Sequence, residues 1–366
     1  MPVYVNKDSV DIRQKLGEIK SDAGMAGNSV LRAETPQEQQ RLIGHGRRNL
    51  IVNGDMSVWQ RGTSFTGANA DQYYTADRFA VSFFDDVSTR SVSRSTTAPR
   101  GFAYSMELNS GLQQLYPSTT VELPASGNPG VFGMGKEFTF SMYSDSTNAP
   151  DAFFIFRNGC HLGTNQVVAS ELGQRMHCIE EDSGNGFKRY SYTFTIKDVP
   201  HADNICFTVA PRFYETSGTF RITGYQLEEG STATSFEYKL AGEELALCQR
   251  YYHRITNNFA VNQNLCTGVV ADSDDVFGVI DMPVTMRTAP SVLASAPASF
   301  RVTTVFGSGS SQNCSQLMLG YDGQTHVTIK ARGNGGGFTA GQAKLIGFNE
   351  TVGLAYIAFD AEIPSQ

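Results

Sequence analysis

Short runs that alternate apolar and polar residues constrain this chain more than any other feature. Phe138, Phe140 and Met142 are separated by polar residues, and Tyr190, Tyr192, Phe194 and Ile196 repeat the pattern. A period of two gives a strand with one core face and one wet face. Further runs of this kind are RFAVSFF (78–84), AYSMEL (103–108), AFFIFRN (152–158), NICFTVA (204–210) and TFRITGYQLE (219–228). Turn-rich segments separate them, and many of the 36 glycines stand beside Ser, Asn, Thr or Asp. Short strands at such intervals, with no helix between, predict an antiparallel sandwich. After YKLAGEELALCQ (238–249), a short helix or a turn joining modules, the pattern resumes in RYYHRIT, VFGVIDMPV, SFRVTTVF, THVTIKAR and VGLAYIAFDAEI. The expected fold class is therefore mainly β: a short helical lead, an antiparallel sandwich and a C-terminal β-sandwich domain.

The last of these runs is apolar on both faces, so it needs cover on both sides. A neighbouring subunit can supply one side, or the strand can be central in its own sheet.

Residues 1–48 differ in character. Val5, Ile12 and Ile19 recur seven apart, with Leu16 at the second heptad position. That is either a short coiled-coil seam or an amphipathic helix docked on a partner. Thr35-Pro36-Gln37-Glu38 reads as a helix start, with Thr at the N-cap, Pro at the first turn and Glu bonding back. The segment is too short to bury a core and is expected to dock elsewhere.

Net charge is −7 and the only compact basic cluster is Arg47-Arg48, so the positive surface needed to displace counterions from phosphates is missing. The chain starts without an apolar signal core. No run reaches the length of a membrane span, so neither nucleic acid nor membrane insertion is expected. The six cysteines show no Cys-x-x-Cys spacing and no disulfide framework, which suits assembly in a reducing cytoplasm.

Two stretches carry a family resemblance. NLIVNGDMSVWQRGTSF followed by Tyr74-Thr75-Ala76-Asp77-Arg78-Phe79 resembles the opening of a jelly-roll module in phage tail fibre and tail-appendage proteins. Gln226-Leu227-Glu228-Glu229-Gly230 through Ala233-Thr234-Ser235-Phe236-Glu237 resembles its last strand, and GEELALCQRYY and DMPVTMRTAP are similar to later segments of that group. The module is similar to carbohydrate-binding sandwiches. The resemblance implies a homotrimeric virion appendage of the tail, assembled in the host cytoplasm. Residues 1–48 would attach it to a tail adaptor, nozzle or other virion protein, a jelly roll would span 49–240, and a β-rich domain 241–366. It also implies contact with host-surface glycan.

Trp59, Tyr74 and Tyr251 are the candidate glycan-binding residues, since an aromatic face stacks on a pyranose ring. Trp59 reads more readily as a core or inter-strand anchor, and of the adjacent pairs Tyr73-Tyr74 and Tyr251-Tyr252 at most one ring each can face a given ligand. Arg61 and Asp77-Arg78 read as ligand contacts or as an Arg–carboxylate pair pinning the first strands. Asp272-Ser273-Asp274-Asp275 lacks the distal Glu of a calcium loop and reads as a solvated turn; Glu228-Glu229 is a weaker calcium candidate. The six histidines form no zinc motif, GSGSS (307–311) is no nucleophile elbow, and no motif calls for a cofactor. A non-enzymatic structural role is expected. The alternatives are a short polysaccharide depolymerase, whose paired carboxylates would meet only in space, and a purely architectural collar, head or baseplate fibre.

Overall fold

The computed structural model describes residues 48–67, 75–83, 90–109, 114–124, 127–157, 174–197, 199–200, 204–214, 218–257, 263–304, 311–349 and 355–362. The expected N-terminal helices and Tyr74 lie outside the described residues. Contacts divide the chain after Leu50, and Ile51–Gln366 forms one compact unit.

The fold of that unit is mainly β, as the alternation predicts. In chain order its first strands are β1 (Ser64–Thr66), β2 (Phe79–Phe83), β3 (Ser91–Ser95), β4 (Ser105–Asn109) and β5 (Gln114–Glu122). Then come β6 (Glu137–Ser144), β7 (Asp151–Ala152), β8 (Phe154–Arg157), β9 (Gln174–Arg175) and β10 (His177–Glu180). β11 (Lys188–Thr195), β12 (Cys206–Val209), β13 (Phe213–Tyr214) and β14 (Thr219–Glu229) complete this part. One antiparallel sheet runs β1-β3-β4-β14-β6-β11-β10, and the second runs β13-β5-β12-β8 with β2 also paired to β5. The inward residues of β6 and β11 are the alternating Phe and Tyr side chains, and all are buried. They meet aromatics of the second sheet: the rings of Phe154 and Phe194 stack at 3.9 Å, and Tyr225 packs edge-on against both Phe79 and Phe140. Tyr225 also donates its hydroxyl to the Pro117 carbonyl, so one side chain ties the two sheets together.

The helix α1 (Ala241–Gln249) leads from the sandwich into the C-terminal strands. These are β15 (Tyr252–Thr256), β16 (Asn264–Val270), β17 (Asp275–Asp281), β18 (Ser291–Ala294) and β19 (Phe300–Thr304). They continue as β20 (Gln312–Asp322), β21 (His326–Gly333), β22 (Ala343–Phe348) and β23 (Tyr356–Asp360). Here the expected C-terminal sandwich takes a more specific form. Six strands close into a barrel, β16-β17-β21-β20-β19-β22, and β15-β23-β18 make a three-stranded sheet beside it. Closure removes the open edges that two stacked sheets would leave.

β23 explains its own double hydrophobicity. It is the central strand of its sheet, paired to β15 and to β18. Ile357 and Phe359 join the buried barrel core with Ile329, Ile346 and Phe300. Over Tyr356–Asp360 the cover comes from the chain itself, so this strand gives no reason to invoke a neighbouring subunit.

Candidate functional site

The residues of the opening motif turn inward. Asn53, at φ +59°, adopts the left-handed conformation that short polar side chains tolerate. Its amide donates to the Val58 and Asp77 carbonyls, and its carbonyl oxygen accepts from the Val58 N–H. Trp59 is 8% exposed and donates its indole N–H to the Met56 carbonyl at 2.7 Å. Gln60 donates its side-chain amide to Asp77 and to the Tyr252 carbonyl, 192 positions away.

The two arginines reach further along the chain. Arg61 donates to Asp360 at 3.1 Å, lies 3.5 Å from Glu362, and rests over the Tyr252 ring. Arg78 is 1% exposed and pairs with Glu362, 284 positions later in the chain. It also donates to the carbonyl and hydroxyl of Thr120, and it covers the Tyr251 ring at 3.6 Å. Tyr251 donates its hydroxyl to Glu122, which also accepts from Arg250. Arg287 closes the assembly by donating to the Ala361 and Glu362 carbonyls. A planar guanidinium suits both roles it plays here, as a donor to several acceptors at once and as a stacking plane. Burial raises the Glu362 and Asp77 carboxyls above their usual range, and the arginine charges offset only part of that rise. The result is a buried ionic joint between the sandwich and the C-terminal strands.

The Gln-Leu-Glu motif at the end of β14 holds a strap. Glu228 accepts from the N–H and the hydroxyl of Thr234. Gln226 donates to the Thr234 and Ser235 carbonyls, and its own carbonyl accepts the Glu237 N–H. Arg189, on β11, donates to Ser141 and to the Thr234 carbonyl. The chain after β14 is thereby fixed across the outer face of the seven-stranded sheet. Glu228 has its oxygens engaged by the strap, and Glu229 lies 3.3 Å from Lys136.

Beyond the strap lies an aromatic surface. Phe102 packs against Tyr143, Phe236 and Tyr238 with ring centroids 5.1, 4.9 and 5.3 Å away. Tyr238 is 54% exposed and Leu240, two residues on, is 81% exposed. Glycine makes this packing feasible. A Cβ on Gly224, whose φ is +65°, would lie 2.5 Å from the Tyr143 ring. Partial burial raises the Tyr143 and Tyr238 phenols, so both keep their protons and can donate at neutral pH.

Of the sequence-predicted site residues, Trp59 and Tyr251 stand in or against the joint, and Tyr251 is 6% exposed. Both side chains are buried, and Arg78 covers the Tyr251 ring. Arg61 and Arg78 do pair with carboxylates: those of β23 and its extension, Asp360 and Glu362, while the Arg61 charge also acts on Asp77 of the opening motif. Asp272 caps its own turn by accepting from the Asp274 and Asp275 N–H groups. Asp275 is held by Arg332 at 2.7 Å and Lys330 at 2.6 Å. The aromatic surface went unanticipated, although Phe236, Tyr238 and Leu240 alternate, which in extended chain places them on one face.

No family model matches the chain, and neither does any curated protein. Parts of solved structures resemble it. The enzymatically active domain of tailspike protein 4 from bacteriophage CBA120 is 14% identical, over 50% of this chain and 21% of that one, with a TM-score of 0.31. This chain therefore spans about a fifth of the tailspike chain. The carbohydrate-binding module TmCBM61, in complex with β-1,4-galactotriose, is 12% identical over 50% of this chain and 100% of that one, with a TM-score of 0.27. The family 11 carbohydrate-binding module of Lic26A-Cel5E from Clostridium thermocellum is 16% identical over 49% and 94%, with a TM-score of 0.24. At these TM-scores the likenesses carry no argument about function.

Proposed function

We propose that this chain is a structural protein of a phage virion appendage, homotrimeric, attached through residues 1–48 and presenting its β modules to host-surface glycan. One observation carries the reading. The residues that resemble phage tail modules, Trp-Gln-Arg, Asp-Arg-Phe and Cys-Gln-Arg-Tyr-Tyr, converge on a buried joint. Their geometry serves rigidity, which an appendage that transmits contact needs. The aromatic surface beyond the strap is left to meet a ligand. Weak binding at one such site would become effective through several copies on one particle.

Labelled antibody against the chain, imaged on purified particles by electron microscopy, tests the virion role; light scattering on the purified protein tests the trimer. The reading expects label on the tail and a mass three times that of the chain. Unlabelled particles would overturn it, and steady release of reducing ends from host polysaccharide would replace it with the depolymerase.

A further inference from the structure

We propose that Phe102, Tyr143, Phe236 and Tyr238, with Asp55 at their border, form a binding site for a neutral pyranose ring. The proposal rests on the glycan contact inferred above and gives it a place on the surface.

Four rings packed together at a surface, with Tyr238 and Leu240 largely in water, leave apolar area that a chain ordinarily buries. The arrangement is built in detail. Gly224 removes the Cβ that would strike Tyr143 and Phe102, and a Cβ on Gly101 would lie 2.9 Å from the Tyr238 hydroxyl. The neighbouring loop is fixed as well. Tyr225 donates its N–H to the Gly54 carbonyl and Thr223 its hydroxyl to the Asp55 carbonyl, which sets Asp55 beside Gly224.

The chemistry at the rim selects the ligand. A pyranose ring has one face of C–H bonds and a girdle of hydroxyls. The aromatic surface suits the first. The Tyr143 and Tyr238 hydroxyls and the Asp55 carboxylate, an acceptor, suit the second. An acidic sugar would meet Asp55 on a chain of net charge −7. Arg189, the cation against Tyr143, is buried and already donates to Ser141 and Thr234. The site therefore favours uncharged rings.

Calorimetric titration of the full chain with galactotriose, cellotriose and trigalacturonate tests this. The expected result is binding of a neutral trisaccharide that Tyr238→Ala weakens at least about tenfold. Asp55→Asn, which keeps the oxygen that caps Ser57, should weaken it as well. Phe277→Ala, on the exposed barrel face, should leave it unchanged. Binding that both site variants retain would overturn the site while leaving the glycan contact standing. Preference for trigalacturonate would overturn the ligand class. No binding of any saccharide by the unaltered chain would overturn both site and contact.

Discussion

Asp275 shows how much a single side chain can carry here. Hydrogen bonding from Arg332, and then from Lys330, lowers its carboxyl to about 2 from an ordinary 3.8, against the opposing effect of burial. A depressed carboxyl adds stability that is complete above its unfolded value and is lost as pH falls through its folded one. Acid unfolding should therefore show a contribution lost between about pH 4 and pH 2 that Asp275→Asn removes, measured as the pH dependence of the urea midpoint. Equal slopes in both proteins would contradict it. The thiols make a second test. Cys178 is exposed, while Cys248 and Cys314 are buried, and burial pushes the Cys314 thiol up to about 12. Burial and the neighbouring Glu181 raise the Cys178 thiol as well, so access decides: a thiol reagent should modify Cys178 in the folded chain and reach Cys248 and Cys314 only on unfolding. Free, mostly buried thiols follow from the sequence, but neither the exposure of Cys178 nor the pairing of Asp275 was legible there. The pairing of Asp275 with Lys330 and Arg332 depends on barrel register, where Asp275 stands opposite Arg332. The pairing of Arg78 with Glu362 depends on where the chain ends up after the whole fold has formed.

Among the elements, those with a clean period of two were readable. EFTFSMYS is β6 to the residue, and KRYSYTFTI differs from β11 only at its end. β5 was missed because Gln114–Glu122 is rich in Ser and Thr and contains Pro117, a residue that argues against a strand interior. The structure tolerates it because β12 pairs with 119–122 and β13 with 114–115, leaving Pro117 in the gap on that side. β3, Ser91–Ser95, has one buried valine to announce it. The helical reading of GEELALCQ was available because Glu243 and Glu244 sit in the first turn, where the helix dipole favours acids. The strap could not be read as such, since its meaning lies in hydrogen bonds to Gln226 and Glu228. Glu228→Ala removes the carboxylate that accepts from the Thr234 N–H and hydroxyl. It should speed hydrogen exchange at Thr234 and Glu237 while β6 and β11 keep their protection. Unchanged exchange at Thr234 would show that the strap is held by something other than this motif.

For the whole molecule, the joint decides whether two β modules behave as two bodies or one. Its charges are taken out of water, and removing one partner of a buried pair costs about 3–5 kcal/mol because the other charge loses its balance. Arg78 belongs to the sandwich and Glu362 follows the last C-terminal strand, so neither module keeps this pair satisfied without the other. The family resemblance marked the residues of the joint but not their purpose, because sequence places Arg78 and Glu362 at opposite ends of the unit. The most direct measurement is hydrogen exchange along a urea titration of the full chain, read at β11 in the sandwich and β21 in the barrel, with and without Glu362→Gln. Both strands should lose protection at one midpoint, and the substitution should lower both together. A β11 midpoint that stays in place while β21 moves would contradict this.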